Sequence, residues 1–201
     1  MGRPATFIRF SGCNLSCEWC DEKHARDIEG GEYLSLREVV EECKKRRLRR
    51  VVITGGEPLL QKEDCIKLVK ELTALGFRVM IETNGTLLNR LNQEEREILR
   101  NCEITVSPKK GHLSGNAVRT AISLSAQFKF VVGENSWRCD EVRDLTRKYS
   151  INNENIWLMP MSLNGIIDED LARRVWEFCV KEEFNYSDRL HVRVWKNEKG
   201  R

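Results

Sequence analysis

Thr6-Phe7-Ile8-Arg9-Phe10 runs directly into Ser11-Gly12-Cys13-Asn14-Leu15-Ser16-Cys17-Glu18-Trp19-Cys20. A short β-branched and aromatic run reads as a strand. The glycine after it opens a loop with three cysteines spaced C-x-x-x-C-x-x-C, close enough for their thiolates to turn toward one centre. Cys43, Cys65, Cys102, Cys139 and Cys179 complete the eight cysteines and are scattered singly. A disulfide framework suits a shorter secreted domain, so the three clustered thiols point to a metal site. Three ligands leave one iron of a four-iron cube open to a small molecule. Structural zinc wants four ligands, with His24 the nearest candidate for the fourth. Spacing alone leaves iron–sulfur and zinc even, because thiolates serve both.

Outward from this loop, strand-like runs recur at Val51–Thr54, Phe77–Glu82, Glu103–Ser107, Phe128–Val132, Asn155–Pro160 and Leu190–Trp195. Amphipathic helical stretches lie between most of them. One starts at Ser35, where Ser35-x-x-Glu38 is a capping box and Leu36, Val39, Val40 and Cys43 share a face. A second covers Glu63 to Leu75 and stops at Gly76. Others fit Asn92–Arg100, Asn116–Ser125, Asn135–Tyr149 and Asp168–Phe184. Alternation of this kind predicts an α/β fold, a parallel sheet with right-handed crossovers. With about six parallel strands it is too short for a complete eight-fold barrel and suits an open, partial (β/α) barrel. No linker or repeat interrupts it, so a single domain over residues 1–201 is expected.

Polar, glycine-rich segments follow the strands: the cysteine loop, Gly55-Gly56-Glu57-Pro58, Thr83-Asn84-Gly85 and Pro108-Lys109-Lys110-Gly111. In a parallel barrel these carboxyl ends converge on one mouth, where barrel enzymes place their chemistry. That arrangement favours an enzyme over a structural module.

Composition agrees. With 40% hydrophobic and 32% charged residues, the 201-residue chain can bury a core, which excludes a disordered polymer. Thirty-four Lys and Arg against 31 Asp and Glu leave +3, too balanced for a nucleic-acid binder on charge alone. No apolar run approaches the roughly 18 residues of a membrane span. Met1-Gly2-Arg3-Pro4 leads into a strand and not a signal-peptide core, so a cytoplasmic location is expected.

The cysteine loop resembles the cluster loop of the radical S-adenosylmethionine (SAM) superfamily, and Gly55-Gly56-Glu57-Pro58 resembles its methionine-binding motif. There the paired glycines let backbone groups approach the ligand, and Glu57 either stabilises the turn or faces the amino group. Within the superfamily the chain resembles the 7-carboxy-7-deazaguanine synthase family, ring-contracting enzymes of queuosine and archaeosine biosynthesis. The resemblance rests on Phe7–Leu15, Trp19-Cys20-Asp21, Ile53–Gln61, Ile81–Thr86, Val106–Lys109, Lys129–Val132 and Arg189-Leu190-His191.

What the resemblance implies is specific. It implies a 4Fe-4S cluster on Cys13, Cys17 and Cys20, with SAM chelating the fourth iron, and magnesium. Trp19, Cys20, Asp21, Gly56, Ser107, Pro108 and Lys109 match positions that line the SAM site. Arg9, Thr54 and His191 match substrate contacts, and Arg9 suits a carboxylate because guanidinium binds one through two parallel hydrogen bonds. The implied reaction converts 6-carboxy-5,6,7,8-tetrahydropterin to 7-carboxy-7-deazaguanine with loss of ammonia. It proceeds through a 5′-deoxyadenosyl radical that takes a hydrogen atom and later returns it, regenerating SAM. A flavodoxin- or ferredoxin-like electron donor and a homodimer are implied as well, with no direct nucleic-acid or membrane partner. A glycyl-radical activating enzyme shares the cysteine spacing, and a zinc-binding interaction module is the reading from another class.

Two departures from the family pattern stand out. The family usually has threonine after the Cys-Asp pair, where its hydroxyl binds magnesium; this chain has Glu22, whose carboxylate is also a competent hard-oxygen ligand. The family's Gln-Gly-Glu-Gly segment ahead of the first strand has no counterpart, which leaves its contacts to an earlier start or to other residues. The remaining features have plainer readings. Lys44–Arg50 is a solvated helix end whose cations complement the dipole, and the five scattered cysteines pack as small hydrophobes. His24 and His112 read as loop residues. Glu82 either reaches SAM or caps Asn84-Gly85.

Overall fold

The structure, a computed structural model, describes residues 3–196. They fall into two compact units: the first runs through Val106 and includes Ser114–Ala126, and the second comprises Ser107–Leu113 and Gln127 onward.

The first unit is built on β1 (Thr6–Phe10), β2 (Arg50–Gly55), β3 (Arg78–Thr83) and β4 (Glu103–Val106), each parallel to the next in chain order. Helices α1 (Leu36–Lys45), α2 (Lys62–Ala74) and α3 (Gln93–Leu99) form the crossovers, and α4 (Gly115–Ser123) follows. Val51, Val52 and Ile53 of β2 are all buried, the continuous apolar run expected of a strand covered on both faces. β1, with a partner on one side in this unit, leaves Phe7 62% exposed. On α2, Cys65, Leu68, Val69 and Leu72 form the buried stripe. Each fully buried aliphatic side chain contributes about 1.5–3 kcal/mol.

Local signals in the sequence place these elements. The Ser35–Glu38 capping box forms, with Glu38 N–H donating to Ser35 Oγ and Ser35 N–H to Glu38 Oε2. Gly76, at φ +79°, ends α2: its N–H reaches Thr73 O and that of Phe77 reaches Leu72 O, both at 3.0 Å. Lys44 and Lys45 at the end of α1 pair with Glu41 and Glu42 in solvent, whereas Arg50 at the far end of the basic run opens β2 and pairs with Glu103.

The second unit contains β5 (Gln127–Val132), α5 (Cys139–Tyr149), β6 (Ile156–Pro160), a small antiparallel hairpin of β7 (Ser162–Leu163) and β8 (Ile166–Ile167), α6 (Glu169–Glu182), β9 (Asn185–Tyr186) and α7 (Leu190–Trp195). β5, β6 and β9 pair in parallel. The helix expected from Asn135 starts at Cys139, because Gly133 N–H bonds to Trp137 O and closes a turn first.

The strand expected at Leu190–Trp195 is a helix. Leu190, Val192 and Val194 alternate as in a strand, but only Val192 is buried, against Ile167 and Ala172, while Leu190 and Val194 are exposed, so the three share no buried face. Instead, Lys196 N–H bonds to Val192 O, and Arg193 Nε pairs with Asp188 at 2.9 Å. The strand in this stretch is β9, five residues earlier, paired with β6. Strand propensity yields here to which segment finds a pairing edge.

Candidate active site

In the first unit the carboxyl ends of β1, β2 and β3 carry three loops that pack on one another. Gly56 N–H donates to Phe10 O at 3.0 Å, and Glu57 N–H to Gly12 O at 2.8 Å, tying the Gly-Gly-Glu-Pro turn to the cysteine loop. The fit leaves no room for side chains. A Cβ on Gly56 would sit 2.2 Å from Gly12 O and 2.5 Å from Ala25 O, and one on Gly55, at φ +145°, would sit 2.1 Å from Phe10 O. Both obstacles are backbone atoms, which explains two consecutive glycines.

Glu57 is fully buried, and its carboxylate is occupied by backbone and side-chain donors. Oε1 accepts from Leu59 N–H at 3.0 Å and Thr83 Oγ1 at 2.7 Å; Oε2 accepts from Asn84 N–H at 2.7 Å. Of the two roles open to it, Glu57 takes the stabilising one, joining the turn after β2 to the turn after β3. A hydrogen-bond network continues to the cysteine loop, because Asn84 Nδ2 donates to Asn14 Oδ1 and Asn14 Nδ2 to Thr86 Oγ1, both at 2.9 Å. Thr83 Oγ1 accepts from Gly85 N–H, so Thr83 and Glu57 hold the turn that Glu82 was a candidate to cap.

Cys13, Cys17 and Cys20 are all free thiols, partly exposed on this anchored loop. Gly12 N–H and Cys13 N–H bond to Ala25 O and Arg26 O, and Arg26 Nη1 donates to Cys17 O at 3.4 Å. An open pocket of about 470 Å³ lies beside the loop, lined by Cys13, Asn14, Leu15, Ser16, Lys23, Arg26 and Asp27. Burial raises the Cys20 thiol above its ordinary pKa, with Asp21 and Cys17 adding to the effect and the Glu22 backbone opposing it. Among the described residues no three His, Cys, Asp or Glu side chains already close on a metal-sized centre.

The donor set nevertheless fits a cluster. Elsewhere burial drives Cys65, Cys102 and Cys179 to about 12 and Cys139 to about 11, keeping those thiols protonated. Cys43 is also buried and raised. Cys43, Cys65 and Cys179 are core residues as expected, while Cys102 and Cys139 are half-buried. Burial raises Cys20 as well, so what favours Cys13, Cys17 and Cys20 as ligands is their grouping on one anchored, partly exposed loop.

The register across the strands sets a second row. Arg9 on β1 lies opposite Thr54 on β2, and Thr54 Oγ1 donates to Glu82 Oε2 on β3 at 3.2 Å. Arg9 Nη2 lies 2.8 Å from Glu22 Oε1, while His24 Nδ1 lies 3.3 Å from Glu22 Oε2. His24 is thereby engaged with a carboxylate and not with the thiols. Trp19 is half-buried and Asp21 exposed.

The other candidates belong to the second unit. Lys109 Nζ donates to Ser107 O and Oγ at 2.8 and 2.7 Å, and Pro108 O accepts from Trp137 Nε1 at 2.8 Å. His191 is exposed on α7, and His112 is exposed in its loop. The first unit thus brings together Arg9, Thr54, Glu22, Gly56 and the cysteine loop. Arg26 and Asn14 were not singled out by motif reading. Nothing in the spacing flags Arg26, whereas the Asn84-Gly85 turn was a visible cue for the network.

These loops define a class. Residues 2–114 match the family described as a 4Fe-4S single cluster domain. The 7-carboxy-7-deazaguanine synthase of Hyperthermus butylicus is 36% identical over 96% of this chain and 85% of that protein. That of Pyrobaculum aerophilum is 33% identical over 100% of this chain and 90% of its own length. The crystal structure of QueE from Escherichia coli superposes with a TM-score of 0.67 at 27% identity, covering 94% of this chain and 86% of that one. The chain belongs to the 7-carboxy-7-deazaguanine synthase family. Its fold is the α/β, partial-barrel type of the radical SAM enzymes. No described helix is long and apolar enough to cross a membrane.

Proposed function

We propose that the chain is a radical SAM lyase that contracts 6-carboxy-5,6,7,8-tetrahydropterin to 7-carboxy-7-deazaguanine and releases ammonia. The observation that carries this reading is the packing of the three-cysteine loop onto the Gly55-Gly56-Glu57-Pro58 turn, with Glu57 N–H on Gly12 O, in a chain of this family. Cys13, Cys17 and Cys20 would hold the cluster. Trp19, Cys20, Asp21, Gly56, Ser107, Pro108 and Lys109 would line the SAM site. When bound, cluster and SAM supply the radical chemistry that removes a hydrogen atom from the pterin and returns it.

The chain's own residues bind and orient. Arg9 offers its guanidinium to the pterin carboxylate, and Thr54, fixed on Glu82, presents an oxygen from the neighbouring strand; the resemblance assigns a further substrate contact to His191. Holding the reacting atoms in place and excluding water are the protein's contributions to a radical step. Magnesium belongs to this reading, with Glu22 as its protein oxygen once Glu22 leaves Arg9. A cytoplasmic homodimer fed by a flavodoxin- or ferredoxin-like donor, supplying queuosine or archaeosine biosynthesis, completes it.

The test is anaerobic reconstitution followed by incubation with SAM, a reductant and the carboxypterin. Equimolar 7-carboxy-7-deazaguanine and ammonia are expected by mass spectrometry and ammonia assay. SAM cleavage without ring contraction would move the chain to another radical SAM reaction, such as glycyl-radical activation. A colourless zinc protein would make it a binding module.

A further inference from the structure

Arg9 and Glu22 sit 2.8 Å apart with side chains 33% and 34% exposed, so a ligand from solvent reaches both. Glu22 is held at this place by its turn, whose carbonyl accepts from Ala25 N–H at 3.0 Å, and by His24 on its second oxygen. Guanidinium binds carboxylates through the same fork of N–H donors whatever molecule carries them. A carboxylate of the protein therefore stands where a substrate's carboxylate would bind.

We propose that Glu22 is an internal competitor for the anion site at Arg9: a carboxylate-bearing substrate displaces it, and small free anions, with fewer contacts to draw on, do so only weakly. The inference rests on the reading that Arg9 receives the pterin carboxylate. A tethered carboxylate acts at an effective concentration on the order of millimolar. A free anion with one point of contact meets an occupied guanidinium. A pterin held also through its rings carries enough additional contact to exchange. The exchange leaves one carboxylate on Arg9 before and after, so no cation is stranded in the site. Glu22 acts through Arg9 and is in this sense a positioning residue that sets which anions enter.

The experiment is titration calorimetry on the full, cluster-reconstituted chain in magnesium-free buffer. Its ligands are the carboxypterin, the same pterin without its carboxylate, and inorganic phosphate. Glu22→Gln should bind carboxypterin about two- to fivefold tighter than the parent, the span of partly exposed ion pairs. Its affinity for the uncarboxylated pterin should be unchanged. Phosphate should compete with carboxypterin about two- to fivefold more weakly in the parent than in Glu22→Gln. Glu22→Asp, which keeps the charge on a shorter stem, should fall between them and decides the matter if the Gln variant does not fold. Equal or weaker carboxypterin binding in the variants, with normal binding by the parent, overturns the exchange alone. Failure of the parent to bind carboxypterin overturns the substrate reading, and the exchange with it.

Discussion

Arg9 and Glu22 form an ion pair of 2.8 Å that joins β1 to the turn after Cys20, the third cysteine of the loop. Glu22 is the position at which the resemblance predicts a threonine, so this pair is particular to what this chain's sequence places there. It also couples the candidate substrate site to the candidate magnesium ligand. A change at either residue should therefore register in the behaviour of the other.

Magnesium dependence follows from that coupling. Glu22→Thr and Glu22→Ala should both raise the magnesium concentration giving half-maximal turnover, because a carboxylate is the stronger hard-cation ligand. Magnesium titration of turnover in the three proteins checks this. Superimposable curves would remove Glu22 from the metal site.

Arg9→Lys keeps the charge but loses the planar fork. Carboxypterin binding should weaken by about 1.5–3 kcal/mol, the usual worth of hydrogen bonds to charged groups, while SAM binding stays near that of the parent. Separate titrations with the two ligands give the comparison. A loss confined to SAM would place Arg9 in the other site.

Replacing Cys13, Cys17 or Cys20 with Ala should abolish SAM cleavage and strip the iron, about four atoms per chain in the parent. Cys43→Ala, in the core of α1, should retain it. Iron analysis and the anaerobic absorption spectrum read the result. One zinc per chain without iron would end the cluster assignment.

Gly56→Ala should lower iron incorporation in a folded protein, since its Cβ would collide with Gly12 O and Ala25 O and push the cysteine loop away. Glu57→Ala should act on stability, by about 3 kcal/mol or more, because three donors lose their acceptor inside the protein. Chemical denaturation and iron content separate the two effects. Unchanged iron content in Gly56→Ala would show that the loop does not depend on this contact.

Thiol titration gives a further check. Cys65, Cys102 and Cys179 stay protonated to about 12, and Cys139 to about 11, against an ordinary thiol value near 8.5–9 in the unfolded chain. Above about pH 9 the unfolded state releases protons that the folded state keeps, so stability should fall as pH rises from there toward 12. At pH 8, alkylation of the cluster-free chain should label Cys13 and Cys17 while Cys65 and Cys179 remain intact by mass spectrometry. Equal labelling of Cys65 and Cys17 in native protein would contradict the burial.

Short-range rules made much of this protein legible in one dimension. The alternation of strands and helices, the Ser35–Glu38 box, the Gly76 stop and the three-cysteine loop each depend on residues a few positions apart, where steric and hydrogen-bond preferences act without the rest of the chain. Tertiary structure alone decided the others. Leu190–Trp195 carries a strand's alternation yet coils as α7, because Asn185–Tyr186 pairs with β6 and nothing buries Leu190 or Val194. Glu57 could have faced a ligand, and only the approach of the turn after β3, twenty-six residues on, closes its carboxylate against Thr83 and Asn84. Arg9 and Glu22 are thirteen positions apart with no periodicity between them. Their pairing exists because the loop after β1 folds back over the strand, and long-range charge contacts of that kind leave no local pattern to read.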